Sequence, residues 1–219
     1  MKIIAISDTH CQLNKIKLPY GDILIHSGDL TNRGSIQEIA KELNELKKYK
    51  DQFKKIILIA GNHDLLSEEN PNLMKQMCID NGIEYLCDSG YEIDGIKIWG
   101  SPVQPEFNDW AWNRNSFEII KHWNAIPDDI NILVTHGPPY GILDQTTYAN
   151  GDLRPGFLGC PRLLERIKEL KDLDLHFFGH IHHPGGQQKH LFGKSFYNCA
   201  ICDEIYCPTN GITIVEYQK

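Results

Sequence analysis

KKIILIAGNHD, residues 54–64, is a nearly continuous apolar run rich in isoleucine that stops at a glycine and passes at once into Asn62, His63 and Asp64. Apolar residues at consecutive positions, rather than alternate ones, mark a short strand buried on both faces. Two upstream runs have the same form: residues 2–7 lead into Asp8 and His10, and residues 22–26 lead into Gly28 and Asp29. Between the second and third runs, SIQEIAKELNELKKYK places Ile36, Ile39, Ala40, Leu43 and Leu46 at helical spacing, with Ser35 positioned to cap the N-terminus. Strand, helix, strand implies a parallel crossover unit.

Further helices are expected over residues 71–81, closed by Gly82, and over residues 116–123 and 161–170. A hairpin over residues 91–99 turns at Asp94-Gly95. Later strands are expected at residues 131–135, 173–178, 194–199 and 211–217. Early crossovers followed by late strands predict an α/β sandwich, two packed mixed β-sheets flanked by α-helices. No Ser/Gly run, low-complexity tract or internal repeat divides the chain, so residues 1–219 read as a single domain.

The net charge of -7 is spread over interspersed acidic and basic residues, with no basic stripe to follow a nucleic-acid backbone. Long nucleic acid is therefore disfavoured, whereas a small phosphorylated substrate is compatible with bound cations that a residue count omits. The apolar run before Ser7 is too brief for a signal-peptide core or a membrane span. Seven cysteines, an odd number without regular spacing, read as reduced thiols in a cytoplasmic protein.

Five polar clusters sit where a buried strand gives way to a loop: Asp8 and His10 in SDTH, Asp29 in SGDL, Asn62, His63 and Asp64 in GNHD, His136 in THGPP, and His180 and His182 in GHIHH. Side chains at the carboxyl ends of parallel strands can converge on one crevice. Asp, His and Asn without Cys suit hard to borderline divalent ions, manganese first, with iron, nickel, zinc or magnesium as alternatives. Seven ligands exceed one tetrahedral ion. They match two ions sharing a carboxylate about 3.5–4 Å apart, a spacing that can hold a hydroxide aimed at phosphorus.

In order, Asp8-x-His10, Gly28-Asp29, Gly61-Asn62-His63-Asp64, His136 and Gly179-His180-x-His182 resemble the five motifs of the calcineurin-like metallophosphoesterases. The resemblance implies a two-sheet sandwich and a dinuclear centre that hydrolyses phosphoesters. Carried over by position, it gives one ion to Asp8, His10, Asp29 and His182, and the second to Asp29, Asn62, His136 and His180, with Asp29 bridging. It implies that Asn62 and His63 meet the phosphate, and that His63 protonates the leaving oxygen while Asp64 orients its ring. Alternation along an extended segment would point His180 and His182 the same way, one to each ion.

Phosphoprotein phosphatases of this superfamily carry RGNHE and GDxVDRG, whose arginines clamp the phosphoryl group. Here Ala60 precedes the asparagine motif and the earlier segment reads GDLTNRG. An absent arginine weakens bidentate recognition of a dianion and favours phosphodiesters. THGPPYGILDQ and GCPRLLERI resemble the small metallophosphodiesterase-domain branch, some of whose members bind purine nucleotides, so small nucleotide-like diesters, cyclic nucleotides among them, are the favoured substrates. Some animal members carry a glycine at a metal-binding histidine; His180 and His182 are both present here. The alternatives are a phosphomonoesterase or nuclease of the same fold, a nucleotide sensor without turnover, and a non-catalytic protein scaffold.

Among the remaining residues, His26 and His176 read as core or edge histidines, His122 and His190 as surface ones, and His183 as solvent-facing or supporting a ligand residue, with no role assigned. Phe107, Trp110, Trp112 and Arg114 could form an aromatic lid that stacks a base and contacts phosphate, or the tryptophans could anchor a loop. The loop containing Tyr148 and Arg154 could act similarly. Cys199 and Cys202 form C-x-x-C, but with no second pair they read, with Cys207, as free thiols.

Overall fold

The computed structural model describes residues 1–147, 152 and 156–218. One sheet has the strand order β13-β1-β2-β3-β4, built from β1 (Lys2–Ile6), β2 (Ile23–Ser27), β3 (Lys55–Ile59), β4 (Glu84–Tyr85) and β13 (Thr213–Glu216). The second has the order β11-β12-β10-β9-β6-β5, from β5 (Ser89–Ile93), β6 (Ile96–Ser101), β9 (Ile132–Thr135), β10 (Leu175–Phe178), β11 (Gln188–Leu191) and β12 (Lys194–Asn198). In the first sheet β1 to β4 run parallel and β13 closes the edge antiparallel. In the second, β6, β9, β10 and β12 run parallel between antiparallel edges. A small pair, β7 (Gln104–Pro105) with β8 (Asn113–Arg114), stands apart.

The continuous apolar runs are explained by the layering. Alternate residues, Ile3, Ala5, Ile23, Ile25, Ile57 and Ile59 from one sheet and Ile96, Ile98, Ile132, Val134, Leu175 and Phe177 from the other, form a shared inner core. Their neighbours Ile4, Ile6, Leu24 and Leu58, with Leu133 and Phe178, belong to the core that includes the helices. Those helices are α1 (Ile36–Lys47), α2 (Leu66–Glu69), α3 (Pro71–Asp80), α4 (Ile119–Asn124) and α5 (Pro161–Glu169). Ser35 caps α1 in a full capping box with Glu38. The hairpin of β5 and β6 turns at Asp94-Gly95, both at positive φ.

Every strand and helix expected from the sequence is present within a few residues. The short α2, the two-residue β4 and the polar edge strand β11 were not anticipated; QKHL is exposed and lacks an apolar alternation. No helix among the described residues is long and apolar enough to cross a membrane.

The two sheets meet tightly at Gly100, where an added Cβ would stand 2.5 Å from Leu86 Cβ and 2.8 Å from Ile59 Cγ2. Gly100→Ala is therefore expected to destabilise the fold by about 1–3 kcal/mol through overpacking, read as a lower denaturant midpoint with an unchanged slope.

Candidate metal centre and active-site cleft

The carboxyl ends of β1, β2 and β3 in one sheet and of β9 and β10 in the other face one cleft. Asp8, His10, Asp29, Asn62, His136, His180 and His182 all come together there. Asp8, His10 and His182 place ligand atoms within 4.8 Å of one another; so do His10, Asp29 and His63, and so do Asp29, His136 and His180. Asn62 joins the last set, its Oδ1 3.0 Å from His136 Nε2. Asp29 belongs to two of these three groups.

The loops reach this geometry through unusual backbone. Asp8, His10, Asp29 and His180 all have positive φ, at 51°, 43°, 53° and 67°, a region that non-glycine residues occupy mainly where the surroundings hold them. The loops after β1 and β2 are zipped together: Asp8 N–H donates to the Gly28 carbonyl at 2.9 Å and His10 N–H to the Asp29 carbonyl at 3.2 Å. His180 N–H donates to the Asp8 carboxylate at 2.9 Å. This corrects the expectation of an extended segment: His180 and His182 do join different halves, but a left-handed turn at His180 separates them.

The imidazole tautomers favour a cation. His10 Nδ1 meets the Thr31 carbonyl at 3.2 Å, His136 Nδ1 the Ser27 carbonyl at 3.0 Å, and His182 Nδ1 the Asp203 carbonyl at 2.8 Å. A carbonyl only accepts, so each Nδ1 carries the proton and each Nε2 turns toward carboxylates: His182 to Asp8 at 3.3 Å, His136 to Asp29 at 3.4 Å, His10 to Asp29 at 3.8 Å. His10 and His182 also bring their Nε2 atoms within 3.3 Å of each other. Such facing lone pairs repel unless a proton or a metal ion lies among them. The donor set thus fits divalent ions.

Without ions, protons take that place. Burial alone would lower His136 and His182, but Asp29 beside the first and Asp8 beside the second outweigh it and raise both to about 9. Burial pushes the Asp8 and Asp29 carboxyls up, yet the neighbouring imidazoles hold both well below the usual carboxylate range. Burial lowers His10, with Asp29 and Asp8 opposing it, and holds His180 at about 3.

Asp64 does not touch the His63 ring, contrary to the role the resemblance implied. Its buried carboxylate accepts the N–H groups of Gly61, Leu30 and Thr31 at 2.9, 3.2 and 3.0 Å and the Thr31 hydroxyl at 2.7 Å, which ties the loop after β3 to the loop after β2. Burial and the charge of Asp29 lift Asp64 to about 6 against those donors. His63 is oriented instead by the Asn32 carbonyl, which accepts from Nδ1 at 2.7 Å. Its Nε2 lies 4.0 Å from Asp29 Oδ2.

The cleft measures about 920 Å³. Asp29, Asn62, His63, His180 and His182 line its floor, and Phe107, Trp110, Phe157, Leu158, Ile205 and Tyr206 its walls. Trp110 lies against the His63 ring with centroids 4.1 Å apart, and Arg33 of GDLTNRG sits 5.5 Å over Trp110. The aromatic segment therefore divides. Phe107 and Trp110 face the cleft, whereas Trp112 is buried with Nε1 donating to Ser67 Oγ at 2.7 Å, and Arg114 pairs with Glu68 at 2.7 Å rather than reaching the cleft. Tyr148 and Arg154 lie outside the described residues.

Tyr206 was not anticipated. It packs edge-on against His10 at 4.6 Å and His182 at 5.3 Å, and no local pattern in CDEIYCP marks it. His122 is corrected: it is half-buried, with Nδ1 2.6 Å from Asp88 Oδ2. His183 and His190 are exposed, as expected. All seven cysteines are free; Cys199 and Cys202 are buried, Cys207 is exposed, and none joins a ligand group among the described residues.

Comparison with known proteins places this architecture. The chain belongs to the calcineurin-like phosphoesterases, whose family profile matches residues 1–184; it is a metal-dependent phosphoesterase by that membership. It is 33% identical over 239 aligned residues to metallophosphoesterase domain-containing protein 1 of Homo sapiens, covering 98% of this chain and 70% of the human protein. It is 35% identical over 217 residues to UPF0046 protein K07C11.7 of Caenorhabditis elegans, covering 93% of this chain and 71% of that one. The crystal structure of TT1561 from Thermus thermophilus superimposes with a TM-score of 0.60 over 90% of this chain and 88% of that chain, at 14% identity, a likeness of fold.

The raised values of His136 and His182 yield a pH prediction for metal-free protein. Groups raised in the folded state contribute stability that is complete below their ordinary value of 6.5 and lost as pH climbs through about 9. The melting temperature of stripped protein should fall between those values, and saturating Mn should flatten the decline. A melting temperature that rises over the same interval contradicts the assignment.

Proposed function

We propose that this chain hydrolyses the phosphodiester bond of a small nucleotide-like substrate, cyclic nucleotides included, rather than acting on long nucleic acid or at a membrane. In this reading Asp8, His10, Asp29 and His182 hold one divalent ion, manganese first, and Asp29, Asn62, His136 and His180 hold a second. The observation that carries the diester reading is the charge of the cleft: its described lining contains Glu106 and Glu204 and neither lysine nor arginine. A phosphomonoester dianion calls for bidentate basic recognition that these residues do not offer. A diester carries one negative charge and needs less neutralisation.

When bound, the two ions would supply Lewis-acid charge and lower the pKa of a water molecule. The protein's own groups do the rest. Asn62 and His63 meet the phosphoryl oxygens. In the acid role His63, held at Nδ1 by the Asn32 carbonyl, gives its Nε2 proton to the leaving oxygen as the P–O bond breaks. Trp110 against one face of His63 restricts the ring and keeps bulk water from it. Phe107, Phe157 and Tyr206 offer flat apolar faces for a base.

Substrate profiling after metal stripping and separate restoration of Mn, Ni, Zn or Mg tests this reading. Bis-p-nitrophenyl phosphate should be cleaved well above p-nitrophenyl phosphate, with Asp29→Asn inactive. The reverse ratio would identify a phosphomonoesterase, and tight nucleotide binding with no metal-stimulated product would identify a sensor.

His63→Ala should cost about 10²–10⁴-fold in kcat on a cyclic nucleotide. The loss should be smaller on bis-p-nitrophenyl phosphate, because nitrophenolate leaves without needing a proton. Equal losses on both substrates would remove His63 from the acid role.

A further inference from the structure

Two histidines outside the ligand cluster, His26 on β2 and His176 on β10, are fully buried, one in each sheet. Each directs its ring at a threonine beside the cleft. His26 Nδ1 accepts the Gly28 N–H at 3.3 Å, so its proton resides on Nε2, which donates to Thr9 Oγ1 at 2.9 Å. In the other sheet Thr135 Oγ1 donates to the Gly137 carbonyl at 2.7 Å, so it accepts from His176 Nε2 at 2.8 Å. The His176 Nδ1 is left buried without a partner. The two rings thus carry the same tautomer and make the same bond. Burial holds each at about 3, which keeps both neutral.

The threonines are placed where the ligands are. Thr9 lies between Asp8 and His10, and Thr135 and Gly137 flank His136. Asp8 and His10 stand in left-handed backbone that needs its surroundings to hold it. Packing does not account for the histidines: an apolar side chain would fill either position without desolvating a ring, and at His176 without leaving a nitrogen unpaired.

We propose that His26 and His176 are positioning residues for the two halves of the metal centre, His26 through Thr9 for the Asp8–His10 half and His176 through Thr135 for the His136 half. The proposal rests on the reading of the cluster as a two-ion centre. Each ring fixes the loop that presents a ligand without touching the ion or the substrate, and each acts on a ligand loop of its own sheet.

Calorimetric titration of stripped protein with Mn tests this in two single-ion backgrounds. His180→Ala retains Asp8, His10, Asp29 and His182, whereas His182→Ala retains Asp29, Asn62, His136 and His180. Asparagine reproduces the Nδ1 side of the ring and loses the donor to threonine; glutamine places its amide nitrogen near Nε2 and keeps it. In the His180→Ala background, His26→Asn should weaken Mn binding by about 10- to 100-fold, and His176→Asn should leave it unchanged. In the His182→Ala background the pattern should reverse. His26→Gln and His176→Gln should restore affinity, which a packing defect would not permit. Thr9→Val, which removes the acceptor for His26, and Thr135→Val, which removes the acceptor for His176 together with the bond to the Gly137 carbonyl, should reproduce the asparagine losses and decide the matter where a histidine variant fails to fold. Equal losses in both backgrounds, no loss, or glutamine variants as weak as asparagine ones would overturn the proposal. A wild type that takes up no Mn would instead overturn the two-ion reading itself.

Discussion

The arrangement at the cleft turns on the buried carboxylate of Asp29, which is 2% exposed. Its Oδ1 accepts the His63 N–H from the loop after β3 at 2.8 Å and faces His136 from the other sheet. Its Oδ2 faces His10 from the loop after β1. One anion therefore gathers three loops and both sheets. A lone charge at that depth would be costly, so the surrounding imidazoles, or the ions they are built to hold, are a condition of the geometry. Gly61 leaves room for this carboxylate, since a Cβ there would run into its oxygen.

Around this anion the aromatic residues form a collar. Phe107, Trp110 and Tyr206 each lie against a site histidine, at centroid distances of 5.2 Å to His180, 4.1 Å to His63 and 4.6 Å to His10. The collar limits water near the charged groups, and a drier site strengthens every electrostatic interaction within it. These three residues come from two segments nearly a hundred positions apart, so the collar exists only in the folded chain.

Much of the site was legible because polar residues directly after doubly buried strands have few other reasons to be there. Asp8, Asp29, Asn62, His136 and His180 were found that way. Contacts made across long separations were not: Tyr206 reaches His10, Asp88 reaches His122 and Asn32 orients His63 without a local signature. The neighbour of His63 in sequence, Asp64, turned inward because backbone N–H groups of two loops converge on it. His180 showed the limit of counting alternation, since a single left-handed residue redirects the chain. The edge strand β11 escaped notice because an exposed edge needs no apolar face.

The acidic lining of the cleft also bears on how the site meets an anion. Its described lining includes Asp29, Glu106 and Glu204 and no lysine or arginine. Without ions the protonated imidazoles of His136 and His182 offset Asp29 and Asp8, so the field an anionic ester meets there depends on what holds those rings. A divalent ion in place of those protons adds positive charge at the cleft floor, so metal occupancy and the hold on an anionic ester are coupled through the same histidines.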